Sequence, residues 1–180
     1  MLEVVKLLNP RIKPRYAEEE ELKTAKAVLG VPFNSYRKDG TPDNSNKVIA
    51  EKSYKIAEER KLPLYGQPEE LDLMQDTKIE KHRFPSELGD WVKTEQLVKW
   101  MATQVGRRTP VILVGHQHHM RRAAALAKYY GLVSLVIDDC KDVPYDKNGG
   151  QWWCRNAATY IPWEYASRAR LIVLNLLGKL

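Results

Sequence analysis

The chain has 180 residues and a mass of 20.8 kDa, a size typical of one compact domain, here 1–180. Hydrophobic residues make up 43%, and no apolar run is long enough for a membrane-spanning helix, so a membrane role is not expected. The net charge of +6 suits an anionic partner, but the basic residues are scattered and nucleic-acid binding is not favoured. Because no signal peptide is recognisable, a cytoplasmic protein is predicted, with Cys140 and Cys154 as free thiols.

The first half of the chain predicts helices and strands separated by polar turns. The predicted elements are a strand over 2–8, a helix over 17–29, a helix over 47–61, a strand over 62–65 and a helix over 92–104. Asn44 or Ser45 is expected to cap the second helix. The segment 71–84 has no clear period and is interpreted as a loop with helical turns, although further strands are expected within 32–84.

The second half contains a buried strand over 111–114, followed by a histidine-rich turn and an alanine-rich helix over 123–130. Another buried strand covers 133–137, and a last helix covers 162–177. Since strands and helices alternate, the sequence predicts an α/β fold, a Rossmann-like three-layer sandwich with a mainly parallel sheet. In such folds ligands bind at the carboxyl ends of the strands, which is where the histidines lie.

His119 and Arg122 are three residues apart at the start of a helix, so both side chains can face the same way. The helix N-terminus adds unpaired N–H groups and positive potential. Arg122 suits a phosphate or carboxylate, and His119 can carry a proton near neutral pH. In the alternative interpretation, Arg122 pairs with a carboxylate such as Glu164 and holds the last helix in place.

His116 and His118 raise the question of a metal site beside His119, because H-x-H spacing on an extended turn can place two imidazoles on one side. Zinc would need further ligands, and the spacing matches no standard zinc motif. The candidates for those ligands are Asp138, Asp139 and His82. Adjacent histidines that line a cleft without a metal are the favoured interpretation.

Three other segments hold candidate residues, each with a structural alternative. The turn 66–69 can present backbone N–H groups to a ligand, or simply connect a strand to a helix. Asp138 can act as an acid or base at a strand end, or cap the following turn. Trp152, Trp153 and Trp163 can stack on a base, or belong to the core or to a dimer surface.

The segment 114–123, VGHQHHMRRA, resembles the YdcF/SanA/ElyC-like family, in which a buried strand is followed by a pattern like V-T-S-x-x-H-M-x-R-A. Gly115 and His116 stand where that family has Thr and Ser. Other segments similar to the family are LYGQPEE at 64–70, Thr94-Glu95, and Trp163-Glu164 followed by Arg168. The family-like core is 47–180, whereas 1–46 matches poorly.

The resemblance implies a Rossmann-like domain with a polar cleft that binds a nucleotide-like or S-adenosylmethionine-like molecule. The leading hypothesis is a protein that binds an anionic small molecule, with hydrolase or transferase activity left open. The alternatives are a non-catalytic regulatory module and a basic nucleic-acid-binding protein, and a homo-oligomer is possible. The candidate catalytic residues are His119, His116 and Asp138. The candidate ligand-binding residues are Arg122, His118, Gly66, Gln67, Glu69, Thr94, Glu95 and Glu164, and no metal is expected.

Overall fold

Five parallel strands form the centre of the fold in the computed structural model, which describes residues 15–34, 36–37, 39–74, 78–86 and 92–178. The predicted strand over 2–8 lies outside these residues. The strands are β1 (Ala27–Val31), β2 (Leu64–Gly66), β3 (Lys81–Arg83), β4 (Pro110–Gly115) and β5 (Val133–Val136). Their order across the sheet is β3-β2-β1-β4-β5, and every neighbouring pair is parallel. The predicted α/β fold with a parallel sheet is therefore confirmed.

Helices cover the sheet and complete the three layers. They are α1 (Glu19–Leu22), α2 (Asn44–Arg60), α3 (Pro68–Leu71), α4 (Thr94–Val105), α5 (Gln117–Tyr129) and α6 (Ala157–Leu176), with short 3-10 helices at Asp138–Asp142 and Trp152–Cys154. Helix α2 packs against β1, β2 and β4, whereas α4 and α5 pack together on the other face. None of the described helices is both long and apolar enough to cross a membrane.

Strands β1 and β4 lie in the middle of the sheet and form the core of the protein. All of β1, and β4 from Val111 onward, is buried. Because the helices cover both faces of the sheet, side chains on both sides of these strands must be apolar. This requirement explains the uninterrupted runs AVLGV and VILVG, which do not alternate with polar residues.

The strand order reverses at the boundary between β1 and β4. The chain proceeds from β1 outward through β2 and β3, then crosses back to β4 and β5 on the other side. In an open parallel sheet, this reversal leaves a crevice outside the carboxyl ends of the two central strands. The residues 32–34 follow β1 and His116 follows β4, so both segments lie at this crevice.

Two predictions for the first half of the chain are wrong. The predicted helix over 17–29 is helical only as far as Leu22, and its last residues belong to β1. The acidic run favours a helix, but the apolar run 27–31 is completely buried between two helical layers, where it forms a strand. Within 71–84, interpreted as a loop with helical turns, residues 81–83 form the edge strand β3, which is one of the further strands expected within 32–84. This strand is too short and polar to show a period.

Two helix boundaries also differ from the prediction. Helix α5 begins at Gln117 rather than Ala123, so the histidines form its first turn. The N-cap of α2 is Asp43, not Asn44 or Ser45, and its carboxylate accepts hydrogen bonds from the N–H groups of Ser45 and Asn46.

Candidate functional site

A cleft of about 610 Å³ lies at the switch point between β1 and β4. Four segments of the chain form most of its wall: the loop after β1, the start of α4, the inner side of α5 and one face of α6. The main lining residues from these segments are Pro32, Phe33 and Asn34, then Lys93, Thr94 and Glu95, then His119, Arg122 and Leu126, and finally Tyr160, Trp163, Ser167 and Arg170. The cleft therefore stands where the fold itself predicts a ligand.

Helix α4 begins at this cleft, and α5 begins behind its wall. Helix α4 starts at Thr94, and the Lys93 N–H before it donates to the Gln96 carboxamide at 2.9 Å. Helix α5 starts at Gln117, and the His116 ring nitrogen Nδ1 accepts a hydrogen bond from the His118 N–H at 3.3 Å. Because the first N–H groups of a helix carry partial positive charge, the start of α4 favours an anion in the cleft.

His119 is the central polar side chain of the cleft wall. Its Nε2 lies 3.0 Å from the Thr94 hydroxyl, and its Nδ1 lies 2.8 Å from the Tyr160 hydroxyl and 2.9 Å from the Arg122 guanidinium. Tyr160 donates its own proton to Glu164 at 2.8 Å. Because a guanidinium can only donate, Nδ1 is the acceptor of the Arg122 N–H, and Nε2 carries the ring proton and donates it to the Thr94 hydroxyl oxygen.

Glu164, on α6, binds two arginines, of which Arg122 belongs to α5 and Arg168 to α6 itself. Its carboxylate accepts from Arg122 Nε at 3.0 Å and from Arg168 Nε at 2.9 Å. The predicted alternative, in which Arg122 pairs with Glu164 and holds the last helix, is thus present in the structure. Arg122 also faces the cleft, because its side chain keeps 18% of its surface exposed there.

The cleft network, which we define as His119, Arg122, Tyr160, Glu164 and Arg168, carries an excess of positive charge. Burial, followed by the nearby Arg122, lowers the pKa of His119 well below its ordinary value, so the imidazole is neutral at neutral pH. One carboxylate then faces two guanidinium groups. The uncompensated positive charge lies beside the cleft and favours a negatively charged ligand.

The three neighbouring histidines have three different environments. His116 is fully buried and stacks on Phe33 with ring centroids 3.9 Å apart, and burial lowers its pKa to about 3. His118 turns away from the cleft and shares a hydrogen bond of 2.6 Å with the Tyr145 hydroxyl. Among the described residues, no group of three or more potential ligands is arranged to hold a metal ion.

Of the other predicted site residues, four line the cleft, whereas Asp138, His116, His118, Gly66 and Glu164 do not. Gln67, Glu69, Thr94 and Glu95 all line the cleft, with Gly66 buried directly before Gln67. Asp138 is exposed in the 3-10 helix after β5, where it pairs with Lys141, and it does not line the cleft. His118 likewise lies behind the wall rather than in it.

Tyr160 is a central residue that the sequence reasoning missed. It is almost completely buried and connects His119 to Glu164. A signal was present, because Tyr160, Glu164 and Arg168 follow one another at four-residue spacing and so share one face of a helix. The last helix was predicted to start at Pro162, which left Tyr160 outside it. In the structure α6 begins at Ala157 and includes Tyr160.

A second buried glutamate, Glu70, lies behind the opposite wall. Its carboxyl group sits over Gly30 and Gly66, which face each other on β1 and β2, and a Cβ atom on Gly30 would lie 2.9 Å from it. Neither carboxyl oxygen has a hydrogen bond of ordinary length and angle to a described residue. Burial raises the pKa of Glu70 well above its ordinary value.

Comparisons of the chain with protein-family models, with curated proteins and with solved structures find no match. The cleft itself and the local resemblance of 114–123 therefore remain as the indications of function.

Proposed function

We propose that the protein is a YdcF-like binder of an anionic, nucleotide-like small molecule, which occupies the cleft between β1 and β4. The observation that carries this proposal is the position of His119 and Arg122. Both side chains project from the first two turns of α5 into a cleft at the topological switch point. That is the ordinary ligand position of a parallel α/β sheet.

The size and charge of the cleft support the proposal. A volume of about 610 Å³ falls within the range of about 300–1,000 Å³ typical of small-molecule sites. Lys93, Arg122 and Arg170 line it, against Glu69 and Glu95, so cationic side chains are in excess. The carboxylates suit ribose hydroxyls, as acidic residues do in related nucleotide-binding folds.

A second candidate function, transferase or hydrolase activity on the bound molecule, is favoured by one row of contacts. Thr94, His119, Tyr160 and Glu164 contact one another in series, and the His119 Nε2–H faces the Thr94 hydroxyl. A positioned imidazole at the wall of a cleft is an element of general acid–base catalysis. S-adenosylmethionine, the other ligand suggested by the resemblance, would present its carboxylate to the same arginine. A cytoplasmic location stays a prediction.

Binding is tested by calorimetry and thermal unfolding with adenosine diphosphate, pyrophosphate and S-adenosylmethionine. We expect the diphosphates to raise the melting temperature, because a ligand at one hundred times its Kd adds about 2.7 kcal/mol to the free energy of unfolding. The double substitution Lys93→Ala, Arg170→Ala should weaken binding at least ten-fold. Lys55→Ala, which removes an exposed lysine on α2, is the matched control and should leave affinity unchanged.

The proposal fails if no anionic ligand shifts the melting temperature, or if the double variant binds as tightly as the wild type. Turnover of a bound nucleotide, lost in Thr94→Val while binding persists, would support the transferase or hydrolase candidate. Binding that is unaccompanied by turnover in the wild type would favour a non-catalytic binding module.

A further inference from the structure

Two tryptophans form an aromatic wall on one side of the cleft. Trp153 comes from the 3-10 helix Trp152–Cys154, and Trp163 comes from α6. Their rings stack with centroids 4.7 Å apart and planes inclined by 25°. Both residues line the cleft. The wall is therefore built from two segments of the chain that meet at this site.

Trp163 remains 40% exposed although it belongs to a stacked pair. An exposed indole leaves apolar surface in water, and the flat face of such a ring is a sequence-tolerant platform for nucleobases. The adjacent Trp152 is more exposed, at 57%, but it does not line the cleft. Exposure alone therefore does not distinguish the two residues, whereas their position relative to the cleft does.

The aromatic wall continues along α6 into polar and cationic groups. Tyr160, Trp163, Ser167 and Arg170 all line the cleft, and their spacing of three, four and three residues places them in one row on the helix. With a rise of about 1.5 Å per residue, Trp163 and Arg170 are roughly 10 Å apart along the axis. A ligand that follows this row meets an aromatic surface first and a cation second.

The cationic groups also extend inward from Trp163. Glu164, the next residue in α6, holds Arg122 at 3.0 Å, so the guanidinium of the cleft floor lies close to the same turn of the helix. Neither Lys93 nor Arg170 forms an ion pair with another described residue. The aromatic wall thus has positive charge beneath it and at the rim.

We infer that the ligand is a nucleotide whose base stacks on Trp163 and whose phosphates extend toward Arg122 and the rim cations. This inference rests on the proposed function, since it divides the proposed ligand into two parts. Base stacking is tolerant of base identity, because every base has a flat aromatic face. We therefore expect adenine and guanine nucleotides of equal charge to bind with similar affinity.

The test compares adenosine diphosphate with pyrophosphate, which lacks the base, in the wild type and in Trp163→Leu. We expect Trp163→Leu to lower the affinity for adenosine diphosphate at least five-fold. Its affinity for pyrophosphate should stay within about two-fold of the wild-type value. Trp163→Phe keeps an aromatic face and should recover most of the loss. Trp152→Leu is the matched control, because it removes a neighbouring indole outside the cleft.

The outcomes separate this inference from the proposed function. An unchanged affinity of Trp163→Leu for adenosine diphosphate, or an equal loss for both ligands, overturns the role of Trp163 in base stacking. Because pyrophosphate would still bind the wild type in those cases, the anion site would stand. Failure of both ligands to bind the wild type overturns the two proposals together.

Discussion

Two buried glutamates on opposite sides of the cleft have opposite electrostatic environments. Glu70, on α3, and Glu164, on α6, are each only 3% exposed. Glu70 lies over the glycines of β1 and β2, with no ordinary hydrogen bond from a described residue to its carboxyl oxygens. The Glu164 carboxylate accepts hydrogen bonds from Arg122, Arg168 and Tyr160. Burial is the same for both residues, so the difference between them lies in their partners.

The comparison shows why one side of the cleft suits an anion. A buried carboxyl without cationic partners holds its proton, which removes a negative charge from the β1–β2 side. On the α5–α6 side, the carboxylate is outnumbered by two arginines. Neutralisation on one side and excess positive charge on the other both reduce the repulsion that a phosphate would meet.

Glu164→Gln should produce the largest change in stability. The substitution keeps the shape of the side chain but leaves Arg122 and Arg168 without their common carboxylate. Removal of one member of a buried ion pair costs about 3–5 kcal/mol, because the remaining charge is uncompensated. Urea denaturation should therefore show a free energy of unfolding lower by about 3 kcal/mol.

Glu19→Gln is the control for this measurement. Glu19 pairs with Arg60 on the surface, where solvent screens the interaction. We expect no measurable change in the urea midpoint. Equal destabilisation of the two variants would contradict the special role of Glu164.

Glu70→Gln tests the opposite side of the comparison. Since the pKa of Glu70 is raised in the folded protein, the folded state keeps this proton above pH 4.5, where the unfolded chain loses it. The unfolded state then binds fewer protons, so this group lowers stability as pH rises. Glu70→Gln removes that dependence on pH. The free energy of unfolding of the variant should therefore rise relative to that of the wild type, by up to about 1.4 kcal/mol per pH unit above 4.5.

The measurement is a set of urea titrations from pH 4.5 to pH 7. A constant difference between Glu70→Gln and the wild type across this range would show that Glu70 ionises normally in the folded state. Glu69→Gln is a suitable neighbour for comparison, because that residue lines the cleft on the same short helix.

The sequence predicted the parallel fold and the place of the cleft better than the contacts within it. His119 and Arg122 follow an unmistakable buried strand, so their position at a strand end could be inferred from the order of the chain. The environment of Glu70 could not be inferred from the sequence, because it depends on Gly30 and Gly66 becoming neighbours in the sheet. Asp138 follows a strand as well, yet the 3-10 turn carries it into solvent.

His116→Asn tests whether burial lowers the pKa of a basic side chain, whereas it raises that of the Glu70 carboxyl. Burial lowers the pKa of His116 to about 3, so below pH 6.5 the unfolded chain binds a proton that the folded state does not. This group's contribution to stability is complete above pH 6.5 and falls with decreasing pH, by about 1.4 kcal/mol per unit. Asparagine can still cap α5 but does not titrate.

Urea titrations between pH 6.5 and pH 5 should therefore show a shallower loss of stability in His116→Asn than in the wild type. His119 remains in both proteins and contributes equally to the two slopes. Identical slopes would mean that His116 is protonated in the folded state, in conflict with its stacking on Phe33 within a fully buried site.

Thr94→Val should have the smallest effect on stability and the most specific effect on the cleft network. The Thr94 hydroxyl accepts a hydrogen bond of 3.0 Å from His119 Nε2, and valine removes the hydroxyl without changing the branched shape. A buried donor without its acceptor costs about 1 kcal/mol. Thr94→Ser restores the hydroxyl and should recover most of this loss. If Thr94→Val is instead as stable as the wild type, the Thr94 hydroxyl does not accept a hydrogen bond from His119. The ring proton of His119 would then lie on Nδ1, in conflict with the position of the Arg122 guanidinium.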